Sequence, residues 1–444
     1  MKKFLSNKQR DQMEAKQDSH NIYFSLTLGS SHTSLVAVRL EQKSSFYESE
    51  FHRFQDMASP RIQILGASRL SNNGAIKKGI VSSIDALSSS ILEVIDEVER
   101  QTGLHIENVM ACIPCMSAQF DNHTENYLVK NVEIRQADVQ KINNSVFNLK
   151  APPGFEYMHA IPGSYTVDGK SEINNPVGMR GSQISLNFYR VYMPQADLHN
   201  IARSCYNAGV RVQRFVYEPL AAAEGALTED EKEFGCVSIS IGTYLTHVVV
   251  YLNRVPVFSK EFNLGSHHIT KDLAIGLRTT QAEAERIKKD VGRAFQNSTK
   301  DIFEKIDIRG VDGLEYHTVT RQDVIQIIEP RVQEILETVY LELKKTKLLS
   351  KATKGVILSG GGALLNGISI ATEKIYGHHA RIGHPIAISG STEGLKSPLW
   401  SAPIGAFSDL FKPLRENQFS YKFGDEFTFS KFATKLLQRF RVNP

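Results

Sequence analysis

One segment of this chain occurs twice. Leu26 to Val38 aligns without gaps on Ile239 to Tyr251, so that Gly29 falls on Gly242, Ser30 on Thr243 and Thr33 on Thr246. Each copy reads as an apolar strand, a turn made of glycine and a hydroxyl residue, and a second apolar strand. Shared turn chemistry can produce two unrelated hairpins. A gapless repeat far along the chain describes instead two homologous lobes facing each other across a cleft. Both turns would then offer backbone N–H groups and a hydroxyl to the same phosphate chain.

The rest of the chain suits that reading. At 444 residues it is too long for one ordinary core. Apolar strands alternate with amphipathic helices, which predicts an α/β protein. The plainest helix is Ser83 to Thr102, with Ile84, Leu87, Ile91, Ile95 and Val98 on one face and Gly103 at its end. Further helices are expected over 137–147, 196–208, 218–227, 282–292 and 324–348, and strands over 109–113, 184–193, 210–216 and 355–359. Gly360, Gly361 and Gly362 follow the last strand and lead toward a helix, a turn that lets backbone approach a flat ring.

Composition excludes several classes. A net charge of +4, with no basic block interleaved with aromatics, does not describe a nucleic-acid binder. No run of about 18 apolar residues is present to span a bilayer. Residues 1–20 are polar with no apolar core, and read as a disordered arm and not a signal peptide. Four cysteines suit a reducing compartment. Cys112 and Cys115 form a C-x-x-C at a strand end with no second pair, so they read as small apolar residues. His267-His268 and His378-His379 lack a carboxylate or Cys at metal spacing.

The tail carries its own pattern. Phe429, Phe432, Ala433, Leu436, Leu437 and Phe440 recur at helical spacing, with Lys431, Lys435 and Arg439 opposite them. A cationic amphipathic helix of this kind lies in the interface of an anionic bilayer.

In the order of hairpin, hairpin and Gly-Gly-Gly turn, the chain resembles the superfamily of actin, heat-shock chaperones and sugar kinases. Within it, the sequence resembles the FtsA family of bacterial cell division proteins. The resemblance runs from about Ile22 to Ala406, plus the tail. It rests on Ala160-Ile-Pro-Gly-Ser-Tyr-Thr-Val-Asp-Gly169, Asn175-Pro-Val-Gly-Met-Arg-Gly181, Glu218-Pro-Leu-Ala-Ala-Ala-Glu224, Leu227-Thr-Glu-Asp-Glu-Lys-Glu233, Ile328-Glu-Pro-Arg331 and Ala380-Arg-Ile-Gly-His-Pro385. It implies an actin-like fold of two ribonuclease H-like lobes with an inserted subdomain, 1C. The expected division is an arm over 1–20, subdomain 1A over 21–81 and 164–212, and 1C over 82–163. Subdomain 2A follows over 213–264 and 350–410, 2B over 265–349, a linker over 411–428 and the membrane helix over 429–444.

The resemblance also implies function: a membrane anchor and polymerising scaffold that tethers the tubulin-like protein FtsZ to the inner, cytoplasmic face of the plasma membrane at the division site. It implies self-association through 1C and contacts with later division proteins. The partner's C-terminal peptide would dock on Glu329, Arg331 and Glu334. Phe429, Phe432, Lys435, Leu436, Leu437, Arg439 and Phe440 would bind an anionic membrane. A pilus-assembly platform of the PilM type and an actin-like ATPase are the competing readings.

ATP is the cofactor that the resemblance implies, held by Gly29, Ser30, Gly242 and Thr243 at the phosphates, Glu285 and Lys288 at base and ribose, and Gly360, Gly361 and Gly362 at the adenosine. Glu218 matches the position that orients water in catalytic relatives. The family's hairpin carboxylates, however, are Thr27 and Ser240 here, a further aspartate is His247, and Tyr244 stands where glycine is usual. Mg²⁺ loses its hard oxygen ligands, so weak or no hydrolysis is expected.

Overall fold

The computed structural model describes residues 21–41, 61–145, 151–295, 301–311, 316–386, 388–390, 394–408 and 411. The expected arm, the membrane helix and, apart from Phe411, the linker lie outside them.

The first lobe is built from β1 (Ile22–Leu28), β2 (His32–Glu41), β3 (Arg61–Ser71), the short clip β4 (Ile76–Lys77) and β5 (Ile80–Val81), α1 (Ile84–Thr102) and β6 (Asn108–Ile113). An inserted sheet follows: β7 (Gln119–Leu128), α2 (Gln136–Ser145), β8 (Phe155–Val167), β9 (Lys170–Ile173) and β10 (Gln183–Pro194). The chain returns through α3 (Gln195–Asn207) and β11 (Arg211–Tyr217). The second lobe opens with α4 (Glu218–Ala226), α5 (Glu229–Phe234), β12 (Cys236–Ile241), β13 (Thr246–Leu252) and β14 (Val255–Phe262). It continues with α6 (Ser266–Gly276), α7 (Gln281–Asp290), β15 (Lys305–Arg309), β16 (Tyr316–Thr320) and α8 (Arg321–Thr346). Next come β17 (Val356–Ser359), α9 (Ile368–Tyr376), β18 (Ala380–Ile382), β19 (Ile388–Gly390) and α10 (Ser401–Gly405).

The repeat is visible in the sheets. The first lobe orders its strands β11-β6-β1-β2-β3, with β19 added at the edge, and the second orders them β18-β17-β12-β13-β14. In each, an antiparallel three-strand meander carries two parallel strands on its first member. The two hairpins even close alike: Gly29 N–H donates to His32 O at 3.1 Å, and Gly242 N–H donates to Leu245 O at 2.8 Å. The paired threonines anchor the turns. Thr33 accepts from Ser90 Oγ at 2.8 Å on α1, and Thr246 donates to Leu264 O at 2.8 Å.

α1 starts where Ser83 accepts the Ala86 N–H and ends at a left-handed Gly103, burying Leu87, Ile91, Val94, Ile95 and Val98 against the first sheet. One apolar core runs from the first lobe onto Cys236, Val249, Tyr251 and Ile357 of the second sheet, a second fills the rest of the second lobe, and the inserted sheet has a third around Ile134, Ile142, Leu186 and Phe188.

The insertion lies elsewhere than 82–163. α1 packs on the first sheet and β6 belongs to it, and the inserted sheet, ordered β7-β10-β8-β9, carries the chain from Gln119 to Pro194. Lobe boundaries shift as well. β11 reaches Tyr217 in the first sheet, and β19 crosses back from the second lobe to pair with β3.

Two short helices pack together between the two sheets, α10 touching β1 and β2 and α4 touching β11, β12 and β13. α4 and α10 approach so closely that a Cβ on Gly405 would sit 1.8 Å from Ala221 O, and one on Gly225 would sit 2.0 Å from Ser401 O. Only glycine permits this backbone-to-backbone crossing.

Candidate functional site: the cleft between the hairpins

The repeat places both hairpin turns, the Gly360 turn and the start of α4 around one cleft. Its cavity is small, ≈ 110 Å³, and Thr27, Gly29, Ser30, Gly242, Thr243, Gly360, Gly361 and Glu218 line it. The two turns touch: Thr243 Oγ1 donates to Ser31 Oγ at 3.0 Å, and Ser31 Oγ lies 2.9 Å from His32 Nδ1. A second bridge runs beside this one. The Lys77 ammonium stands 4.5 Å from the centre of the Tyr244 ring, whose other neighbour is the His267 ring, 4.8 Å away. So the tyrosine that replaces glycine joins the lobes through a cation–π contact.

Several expected ligand residues are already engaged. Ser30 Oγ accepts the Lys78 N–H at 2.9 Å and holds the β4–β5 clip. Gly242 O and Thr243 O accept N–H groups from Ser266 and His267, which pins the second turn onto α6. Gly362 turns away from the cleft, since a Cβ there would meet Ile241 Cγ2 at 2.3 Å. The helix expected directly after the glycines begins only at Ile368, beyond a 3₁₀ turn over Gly361–Leu364. Glu285 and Lys288 are brought together at 2.6 Å, with Thr270 donating to Glu285 at 2.5 Å and Lys288 donating to Ser266 O at 3.2 Å. These two charges satisfy each other.

The metal side of the cleft is rebuilt. Thr27 and Ser240 are both buried there. His247 lies fully inside, with its Nδ1 3.9 Å from Glu218 Oε2 and neither ring nitrogen hydrogen-bonded. Burial drives the His247 pKa down to about 3 and the Glu218 pKa up to about 7. Arg69 of β3, paired across the sheet with Ser34, enters the same cavity. Sequence reasoning missed Arg69, because strand alternation gives two faces and only the sheet order says which one borders the cleft. With threonine, serine and an arginine at the metal position, the residues present do not fit Mg²⁺. Among the described residues no cluster of His, Cys, Asp and Glu could hold a metal ion.

The other expected sites are placed as follows. On α8, Arg331 forks onto Asp272 of α6, with Nε to Oδ2 at 2.5 Å and Nη2 to Oδ1 at 3.2 Å, and also contacts Glu334. Glu329 instead lines a ≈ 650 Å³ groove between α8 and α9, with Phe295, Tyr340 and Lys374. Cys112 and Cys115 are buried free thiols, and burial pushes Cys115 up to about 12, which suits packing and not redox chemistry.

Comparison with known proteins decides the family. The model described as cell division protein FtsA matches residues 237–405, and that of the SHS2 domain inserted in FtsA matches residues 117–192. The second match coincides with the inserted sheet. Together they cover more than half of the chain. This chain belongs to the FtsA family. FtsA of Bacillus subtilis is 29% identical over 392 residues, covering 87% of this chain and 83% of that protein. FtsA of Rhizobium meliloti is 28% identical, covering 78% of each. The role of an FtsA-family chain is in cell division. Solved structures share the fold: a PilM–PilN type IV pilus biogenesis complex superposes with a TM-score of 0.60 at 13% identity, over 88% of this chain and 99% of that one. MreB5 of Spiroplasma citri bound to ADP gives 0.50, also at 13%, over 87% and 95%. These show an actin-like fold.

Proposed function

We propose that this FtsA-family protein works in division as a membrane-bound scaffold, tethering FtsZ to the cytoplasmic face of the plasma membrane, and not as an ATPase. The observation that carries this reading is the cleft: its hairpins bond to each other through Thr243 and Ser31, and no carboxylate stands at either hairpin position to hold a metal. Metal charge is the main stabiliser of phosphoryl transfer. What remains is a rigid body with surfaces to offer.

Three surfaces serve the scaffold. The tail sequence, with Phe429, Phe432, Leu436, Leu437 and Phe440 opposite Lys431, Lys435 and Arg439, meets an anionic bilayer. Each such apolar side chain contributes roughly 1.5–3 kcal/mol when buried, and assembly multiplies weak single attachments by avidity. The inserted sheet offers exposed Leu128, Val132 and Met179 for contact with a second copy. The α8 surface, with Glu329, Arg331 and Glu334, receives the acidic C-terminal peptide of FtsZ and leaves the lobes free for later division proteins. Arginine suits carboxylates because its planar fork binds them in pairs.

Co-sedimentation of the full chain with vesicles of phosphatidylglycerol and phosphatidylethanolamine tests the anchor. Binding is expected, and Phe432→Glu with Phe440→Glu should abolish it with no large change in melting temperature. Retained binding, or a large fall in melting temperature, would show that the tail serves something other than the bilayer.

A further inference from the structure

The floor of the cleft holds polar atoms that the protein itself leaves unpaired. Thr27 Oγ1 is buried with no partner but the neighbouring Cys112 thiol, a poor hydrogen-bond acceptor and donor. Both ring nitrogens of His247 are buried and unbonded in the same cavity. Unpaired polar atoms at this depth are costly and mark a place for a polar ligand.

The charge of the cleft says which ligand. Arg69 lines the cavity beside His32 and Ser34, and among the described residues it has no carboxylate partner. Burial lowers its pKa to about 10, which leaves it protonated at neutral pH. A half-buried cation without a counter-ion gains from an anion that joins it. Lys289 adds positive charge near His32, and Lys77 and Lys288 add it near His267, with Glu285 the opposing carboxylate at both places. The one carboxylate that lines the cavity, Glu218, is held toward its neutral form by burial.

We infer that this cleft is a metal-independent site for a tetrahedral phosphate group, in which the Arg69 guanidinium supplies the positive charge and the Thr27 and Ser240 hydroxyls supply hydrogen bonds. A guanidinium fork matches the edge of a phosphate, whereas it repels a divalent cation. The ≈ 110 Å³ cavity admits one such group while Thr243 and Ser31 stay joined, and no nucleoside with it. The group can come from free phosphate or from the end of a nucleotide's phosphate chain. This site stands apart from the tethering role and does not rest on it.

Titration calorimetry of the full chain tests the site, with inorganic phosphate, pyrophosphate and ATP in separate arms, each in EDTA and in excess Mg²⁺. Binding with equal affinity in EDTA and Mg²⁺ is expected. Arg69→Met should weaken it about tenfold or more, with Arg69→Lys between the two. Phosphate binding alone identifies the free anion as the ligand, and EDTA-insensitive ATP binding lost in Arg69→Met identifies the nucleotide's phosphate end. Either result upholds the site. Thr27→Val removes a hydroxyl whose one partner in the fold is the weakly bonding Cys112 thiol, so it should weaken binding with little change in melting temperature even where an Arg69 variant does not fold. The proposal is overturned by binding that requires Mg²⁺, by unchanged affinity in folded Arg69→Met or Thr27→Val, or by no binding of any of the three anions in EDTA.

Discussion

Thr243 and Ser31 sit at the tips of two homologous hairpins on opposite lobes and share a hydrogen bond of 3.0 Å. Equivalent loops thus meet each other where the fold would let them part around a ligand. The bond is neutral and half-buried, so its net contribution is about 1 kcal/mol. Thr243→Val should lower the unfolding free energy in urea by about that amount. It should also raise hydrogen exchange at the amides of both turns. Unchanged exchange would mean that the two turns are held by the Lys77–Tyr244 contact and not by this bond.

A second lobe-to-lobe bond carries a pH dependence. Tyr217 donates its hydroxyl to Glu261 Oε1 at 2.5 Å, and burial raises the Glu261 pKa to about 7. Between its unfolded value of 4.5 and about 7, the folded protein holds a proton that the unfolded chain has released. Stability therefore falls as pH rises through that window, by about 1.4 kcal/mol per pH unit at most. Glu261→Gln removes this dependence, so the variant should gain on the wild type from pH 5 to pH 7 and hold a constant difference above. Denaturation at several pH values measures it, and a constant difference throughout would show that Glu261 is ionised in the fold.

His159 and His247 act in the opposite sense. Both are buried and neutral, with pKa values lowered to about 3, and His159 Nε2 accepts the Tyr217 N–H at 2.9 Å. Below pH 6.5 the unfolded chain gains protons that the folded one does not, so stability drops as pH falls. His247→Asn should flatten the acid limb of the stability profile by about 1.4 kcal/mol per pH unit. An unaltered limb would place a charged His247 in the fold.

Lys232 and Glu224 form a buried ion pair at 2.9 Å, with Tyr251 and Ser408 also donating to the carboxylate. Breaking one side strands the other. Lys232→Met should cost about 3–5 kcal/mol, and adding Glu224→Gln should restore much of it. Equal losses in single and double variants would show that the lysine acts through its packing alone.

Arg331 is held by Asp272, so a partner's carboxylate must compete for it. If the peptide docks there, Asp272→Asn should strengthen binding and Arg331→Glu should weaken it by about 2 kcal/mol or more, both effects shrinking in high salt. Fluorescence anisotropy of the labelled FtsZ C-terminal peptide reads both. Equal affinity in both variants would move the contact away from this face of α8.

What the sequence disclosed followed its short-range chemistry. Gly29 and Gly242 with their hydroxyl neighbours fixed two identical turns, and the alignment carried over to sheets of identical order. The insertion was harder to delimit, because its strand β8 runs on through Pro162 and Gly163, where the expected boundary fell. The structure accommodates them at a register shift between Leu186 and Phe188 of the partner strand, where a ladder bond is not needed. Thr27, Ser240 and His247 stood out in the sequence as cleft positions that lack a carboxylate. Arg69 and the Lys77–Tyr244 bridge did not, since they depend on which strand faces and which lobes meet.

The crossing of α4 and α10 has one more consequence. Two helices that touch through Gly225 and Gly405 present no side chains there to switch rotamers, so the joint has no slack to absorb a push. Displacement of one lobe must turn the other about that point, like a key in a close-fitting lock. A force on the inserted sheet reaches the second lobe more directly still, through the bond from Asn122 Nδ2 to Val257 O of β14 at 3.1 Å.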